Sequence, residues 1–286
     1  MREFDFHEPA SVAEACHMLA DYGDDARLIA GGTALVLALR QRLLTPAHLV
    51  SLGRIDGLRG IGWHETQGLR IGALTAHAEV AASPLVKARY PMLADMAARM
   101  ANPQVRHQGT IGGNLCYADP ATDPPGCLLA LGAEVVVVGR GGERVLKIED
   151  FIVDYYTTAL EADEVLTEIR LPPPAADADG RYVRHLRTAA EHRPLVNLSV
   201  LVRRSGRQCA QARLVLGAST TIPTRLAQAE ACLQGRAITA DVAAEAAQCG
   251  AAEMAPIDDS RGSAAYRRDI TAVVLRRTLF DLFDLH

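Results

Sequence analysis

The run Pro172-Pro173-Pro174 constrains this chain more than any other stretch. Three consecutive residues with no N–H donor and φ held at about −65° can neither continue a helix nor sit inside a sheet. Together with the irregular stretch up to Gly180, the run divides the 286 residues into an N-terminal part, 1–175, and a shorter C-terminal part, 176–286. Both lengths are ordinary for a domain.

The N-terminal part reads as alternating short strands and helices. Ser11 with Glu14 forms a capping box that opens a helix ending near Gly23. Ala26 to Ile29 is a short strand, and residues 34–43 form a helix stopped before Thr45-Pro46. Strands at 48–52 and 69–71 and helices at 77–82 and 92–100 follow. Asp123-Pro124 reads as an N-cap and N1 pair, giving a helix over 124–131 with Gly132 as its stop. A hairpin, 133–138 and 143–146, turns around Gly139-Arg140-Gly141-Gly142, and a strand at 164–171 closes this half. Beyond the prolines, strands at 182–187, 196–203 and 209–216, with Gly206 in a turn, precede helices at 223–233, 239–249 and 263–285. The fold class is α+β, ending in a small sheet backed by helices.

Composition removes several functions. Thirty basic against thirty-four acidic residues give a formal net charge of −4, which leaves no electrostatic footprint for nucleic acid. No stretch is long and apolar enough for a membrane span, and the start has no basic segment followed by an apolar one, so the expected location is the cytoplasm. Cys16, Cys116, Cys127, Cys209, Cys232 and Cys249 show no CxxC pairing; reduced, mostly buried thiols are expected, with no iron–sulfur cluster in this chain. The histidines, His7, His77, His107, His185 and His192 among them, lack the spacing of a helical metal site, and no metal ligand is expected.

Two glycine-rich segments carry the chemistry. Ile29-Ala30-Gly31-Gly32-Thr33 joins a strand to a helix, where glycine lets the backbone approach a ligand with its N–H groups turned outward. Gly109-Thr110-Ile111-Gly112-Gly113-Asn114 reads as a second loop of this kind and adds a hydroxyl and an amide side chain. Two such loops can clamp two phosphates from opposite sides. Neither matches the Walker A pattern or GxGxxG, which disfavours a P-loop NTPase and a Rossmann dehydrogenase.

The phrases AGGTALVLALRQRL at 30–43, LRIGALTAHAEVAASPLV at 69–86, PQVRHQGTIGGNLCYADPATDPP at 103–125 and LLALGAEVVVVGRGGER at 128–144 resemble the FAD-binding medium subunit of molybdenum hydroxylases, the group of carbon monoxide dehydrogenase and xanthine dehydrogenase. The resemblance runs over essentially the whole chain. It implies a two-lobed FAD-binding domain of the PCMH type, with lobes at about 1–58 and 59–175, followed by a C-terminal domain of the CO dehydrogenase flavoprotein type. It also implies a first pyrophosphate segment at Ile29, Ala30, Gly31, Gly32, Thr33, Ala34 and Leu35, and a second at Thr110, Ile111, Gly112, Gly113 and Asn114. Asp123 matches an acidic cofactor contact and Met100 a large apolar side chain covering part of the FAD. Leu166 and Arg187 match later contacts. Ala34 replaces a residue that is frequently polar in the family, the Tyr or Asp of some relatives near Arg193 is missing, and nothing resembles the cysteine-bearing insertion of the 4-hydroxybenzoyl-CoA reductase medium subunit.

Each residue also has a plainer reading. Asp123 reads equally as a helix cap or a ligand contact. Met100 on an apolar helix face reads as core, Tyr155-Tyr156 as packing at a domain surface, and Cys116 and Cys127 as small buried hydrophobes. The resemblance implies an electron-transfer flavoprotein subunit of a heterotrimer, with a large molybdopterin-binding subunit and a small subunit carrying two 2Fe-2S clusters as partners, and with NAD, oxygen or a quinone as acceptor. A self-contained FAD oxidase and a non-catalytic flavin-binding assembly factor are the alternatives, although no catalytic base stands out for the former.

Overall fold

The computed structural model describes residues 2–285. Its first lobe holds β1 (Asp5–His7), α1 (Val12–Tyr22), β2 (Ala26–Ile29), α2 (Leu35–Arg40) and β3 (His48–Ser51). The strands form a parallel sheet in the order β1-β3-β2. Ser11 Oγ accepts the Glu14 N–H at 3.2 Å, while the Glu14 carboxylate reaches back to the Ala10 N–H at 2.8 Å, one residue earlier than a strict capping box. Helix α2 is shorter than the 34–43 expected, because Arg42 takes a left-handed φ of 59°. Ala15, Cys16 and Leu19 of α1 pack on Val50 and Leu52, and with Leu74 and Val165 of the next lobe.

The second lobe contains β4 (Ile61–His64), β5 (Gly68–Gly72), α3 (His77–Ala82), α4 (Pro84–Arg89), α5 (Pro91–Arg99), α6 (Pro103–Gln108), α7 (Ile111–Tyr117), α8 (Pro124–Ala130), β6 (Glu134–Gly139) and β7 (Gly142–Lys147). After α9 (Ile148–Phe151) and the small ribbon of β8 (Ile152–Asp154) and β9 (Thr157–Thr158), β10 (Val165–Leu171) enters the middle of an antiparallel sheet ordered β4-β5-β10-β6-β7. Proline stands in the first turn of α4, α5, α6 and α8, where its missing N–H costs nothing. It cuts this region into short helices that wrap one face of the sheet.

The expectation of a loop at 109–114 is corrected here: residues 111–117 are helical. Two glycines make a helix intrinsically poor. Tertiary bonds from the Ile111 N–H to Thr75 O, at 3.0 Å, and from the Gly112 N–H to Ala73 O, at 2.9 Å, fix its first turn.

After the prolines come β11 (Ala178–His185), β12 (Val196–Ser205), β13 (Gln208–Gly217), β14 (Thr224–Arg225), α10 (Ala227–Leu233), α11 (Ala240–Glu253) and α12 (Ala264–Leu282), the strands forming an antiparallel meander. Strand β11 starts earlier than the 182 expected, since Ala178-Asp179-Gly180, a turn-like string, is held by pairing with Leu201 to Arg203. The two-residue period of β12 decides how the halves join. Val196, Leu198, Val200 and Val202 face the α10–α12 core, whereas Asn197 and Ser199, both fully buried, face the other way, with the Asn197 amide donating to Thr122 O at 2.9 Å. Tyr182 and Val215 belong to the N-terminal core, so the proline run ends a sheet without separating two independent bodies. The Tyr90 hydroxyl donates to Pro172 O at 2.7 Å and anchors the run itself.

Candidate functional site

Strand β2 delivers Ile29 to the edge of the first lobe, and the chain from Ala30 to Ala34 turns from there into α2 at Leu35. Every residue from Ile29 to Val36 is half-buried. Gly32 takes φ +71°, a conformation open to glycine at no steric cost. A Cβ on Gly31 would stand 2.0 Å from the Gln108 carbonyl oxygen and 3.0 Å from Gly109 Cα, so this turn lies backbone to backbone against the end of α6. A Cβ on Gly109 would come within 3.3 Å of Thr33 Oγ1, and one on Gly113 within 3.5 Å of the Ala30 Cβ. The two glycine segments, some eighty residues apart in the chain, therefore form one wall.

The N–H groups of that wall divide sharply. In the second segment the Gly113 N–H goes to Thr110 Oγ1 at 3.2 Å, and the Asn114 N–H to Thr110 O at 3.0 Å. With Ile111 and Gly112 bound to Thr75 and Ala73, the first turn of α7 is fully committed to protein acceptors. Gly112 is glycine for packing, since its Cβ would sit 2.6 Å from that of Ala73. In the first segment, no protein acceptor among the described residues takes the N–H groups of Gly31, Gly32, Thr33 and Ala34. Successive free N–H groups around a left-handed glycine make an anion nest. The second segment contributes side chains: the Thr110 hydroxyl, which keeps its own proton to donate, and Asn114, whose Oδ1 is buried with no partner.

His77 supports the same wall from α3. Its N–H donates to Gly109 O at 3.2 Å, its ring is 2% exposed, and its Nδ1 is buried with no partner. Burial pushes its pKa down to about 4, so the imidazole is neutral.

The remaining predicted contacts lie elsewhere. Asp123 is no side-chain cap: its backbone is already helical and its carboxylate turns toward the C-terminal sheet. There it accepts the Tyr182 hydroxyl and stands 3.5 Å from Arg184 Nε. Burial raises its carboxyl above the ordinary value, against the opposing pull of Arg184 and Tyr182. Met100 and Leu166, each 3% exposed, are packed in the second lobe's core. Arg187 lies on the exposed loop after β11, where its guanidinium pairs with Glu191 at 2.7 Å.

The structure adds residues that the sequence did not single out. Just past α7, buried Asp119 is gripped by Arg193 of the C-terminal part, beside the edge-on rings of Tyr117, Tyr156 and Tyr155. Ala118 turns the chain there with φ +48°. Cys116 corrects the expectation of buried thiols: its surface is exposed, although desolvation by the surrounding protein pushes its thiol up to about 12. Asp5, His7 and His48 are brought together at one end of the first lobe's sheet by strand pairing.

Known proteins resemble the chain along its whole length. Residues 2–174 match the FAD binding domain in molybdopterin dehydrogenase, and residues 181–282 match the CO dehydrogenase flavoprotein C-terminal domain. The carbon monoxide dehydrogenase medium chain of Hydrogenophaga pseudoflava is 35% identical over 278 residues, covering 96% of both chains. The nicotine 6-hydroxylase medium subunit of Paenarthrobacter nicotinovorans is 32% identical over 279 residues, again 96% of each. A solved structure of the Hydrogenophaga carbon monoxide dehydrogenase superposes with a TM-score of 0.93 at 36% identity, over 97% of this chain and 96% of that one. Quinoline 2-oxidoreductase from Pseudomonas putida 86 gives 0.93 at 31%, over 99% and 98%.

Proposed function

The chain belongs to the family of FAD-binding medium subunits of molybdenum hydroxylases, and on that premise we propose that the turn from Gly31 to Ala34 holds the FAD pyrophosphate. One observation carries the assignment: four consecutive N–H groups left free in a glycine turn that is pressed against Gln108 and Gly109. Ile29, Ala30 and Leu35 frame this nest. Thr110 and Asn114 complete it with a hydroxyl and an amide, while Ile111, Gly112 and Gly113 keep the facing wall close. Met100 and Leu166 hold that wall from behind. Asp123 sets the angle between the N-terminal lobes and the C-terminal sheet, and Arg187 lies on a loop that borders the aromatic cluster around Tyr156.

Bound FAD supplies the exchange between one-electron and two-electron transfer, and the protein's part is to position it and tune its surroundings. In the proposed assembly a small subunit with two 2Fe-2S clusters delivers electrons, a large molybdopterin-binding subunit oxidises the substrate, and NAD, oxygen or a quinone takes the electrons away. Relatives whose names specify carbon monoxide, nicotine and quinoline share this fold from end to end. Substrate choice accordingly rests with the large subunit. We divide the chain into an FAD-binding domain, 1–175, with lobes at 1–58 and 59–175, and a C-terminal domain, 176–286. No described helix is long and apolar enough to cross a membrane, and the six free cysteines support a reducing, cytoplasmic setting.

Denaturing the purified protein and identifying the released flavin tests the reading. FAD is expected. Release of FMN alone, or failure to take up FAD on reconstitution, would remove the pyrophosphate assignment.

A further inference from the structure

We propose that Asp5, His7 and His48 form a binding site for one divalent cation of the zinc type, outside the flavin site. The regular geometry of the first lobe builds it. Side chains two apart on a strand share a face, so Asp5 and His7 of β1 point the same way. Parallel pairing of β1 with β3 sets His48 directly opposite Asp5. His7 Nε2 lies 3.1 Å from His48 Nδ1, which lies 3.6 Å from Asp5 Oδ2. All three ligand atoms fall within 4.8 Å of one another.

Those separations suit a metal. With ligands at about 2.0 to 2.1 Å from zinc, neighbouring ligand atoms of a tetrahedron stand about 3.3 to 3.4 Å apart. The two close pairs bracket that length; the third, His7 to Asp5, lies within 4.8 Å, so on binding the exposed Asp5 side chain would swing in toward the histidines. Two imidazoles and one carboxylate are a donor set typical of zinc, with a fourth position left for water. Partial exposure gives an entry path: Asp5 is 78% exposed and His48 21%.

The imidazoles are also held in place. The Tyr22 ring stacks on His48 at 3.9 Å between centroids, with 19° between planes, and on His7 at 5.2 Å. Packing that locks the rotamers lowers the ordering cost of ligation. A hydrogen bond between the histidines and an ion pair of His48 with Asp5 account for the contacts one at a time, but both converge on the single atom His48 Nδ1, which a metal would satisfy together. His48 pairs with Ala26 at the start of β2, whereas the glycine turn leaves the far end of that strand, after Ile29. The cation would therefore clamp β1 to β3 at the end of the sheet remote from the proposed flavin turn.

The test uses the full chain loaded with FAD, freed of any histidine tag, stripped with a chelator and titrated with zinc against a chromophoric competitor. One tight equivalent is expected. His7→Ala and His48→Ala should each weaken it at least about tenfold, and Asp5→Asn, at an exposed position that cannot threaten folding, should also weaken it measurably. Thermal unfolding should shift upward with zinc in the parent and not in the histidine variants. FAD content should be the same in all. Absence of a tight equivalent, or its survival in the His7→Ala/His48→Ala double variant or undiminished in Asp5→Asn, overturns the proposal.

Discussion

Replacing Gly31 by alanine adds one methyl group where the two glycine segments touch. The new Cβ would stand 2.0 Å from the Gln108 carbonyl oxygen and 2.9 Å from its carbon, so the turn and the end of α6 must move apart by more than an ångström. That opening costs roughly 1 to 3 kcal/mol of stability, the usual range for overpacking. It also withdraws the N–H groups of Gly31 and Gly32 from the anion they are proposed to hold. Losing two hydrogen bonds to a charged acceptor, at about 1.5 to 3 kcal/mol each, weakens FAD binding by about a hundredfold or more. The assay is titration of FAD into apo-protein, with circular dichroism to establish folding. Gly206→Ala serves as the control, because Gly206 has φ +59°, nothing within 4 Å of a new Cβ, and a place in the turn between β12 and β13. It should lose about 1 kcal/mol of stability and keep its FAD affinity. A folded Gly31→Ala variant with the parent's dissociation constant would refute the placement of the pyrophosphate.

Gly113→Val should abolish FAD binding, since even a Cβ there stands 2.8 Å from Thr110 Oγ1, while Cys116→Ser should leave affinity nearly unchanged; equal dissociation constants for the two variants would contradict this. Asp123→Ala should destabilise the protein by roughly 3 to 5 kcal/mol by leaving Arg184 buried without its charge partner, read as a fall in the urea midpoint, and a loss below about 1 kcal/mol would show that this pair does not hold the halves together. His77 gives a pH dependence: its pKa falls from 6.5 to about 4 on folding, so its contribution is complete above the unfolded value and is lost as pH drops through about 4. The loss is at most about 3 kcal/mol. His77→Gln should flatten the stability profile between those values, and an unchanged slope would assign it to other groups.

What the sequence reveals and what it hides follow from the range of the interactions involved. Helix α1 and the hairpin of β6 and β7 are legible because their determinants, a cap and a glycine-rich turn between two short apolar runs, lie within a few positions of one another. The glycine segments were legible as chemistry, yet α7 was misread as a loop, since the bonds that fix its first turn come from Ala73 and Thr75, more than thirty residues away. Asp123 shows the same limit: Asp-Pro is a local helix-start signal, but the carboxylate finds Tyr182 and Arg184 across the domain junction. The metal trio is the extreme case. Asp5 and His7 share a face by local geometry, but His48 joins them only through the register of β1 on β3, and no local spacing encodes a register between strands some forty residues apart. Wherever a site is assembled by strand pairing or domain contact, residue spacing can nominate one member, and only the fold supplies the others.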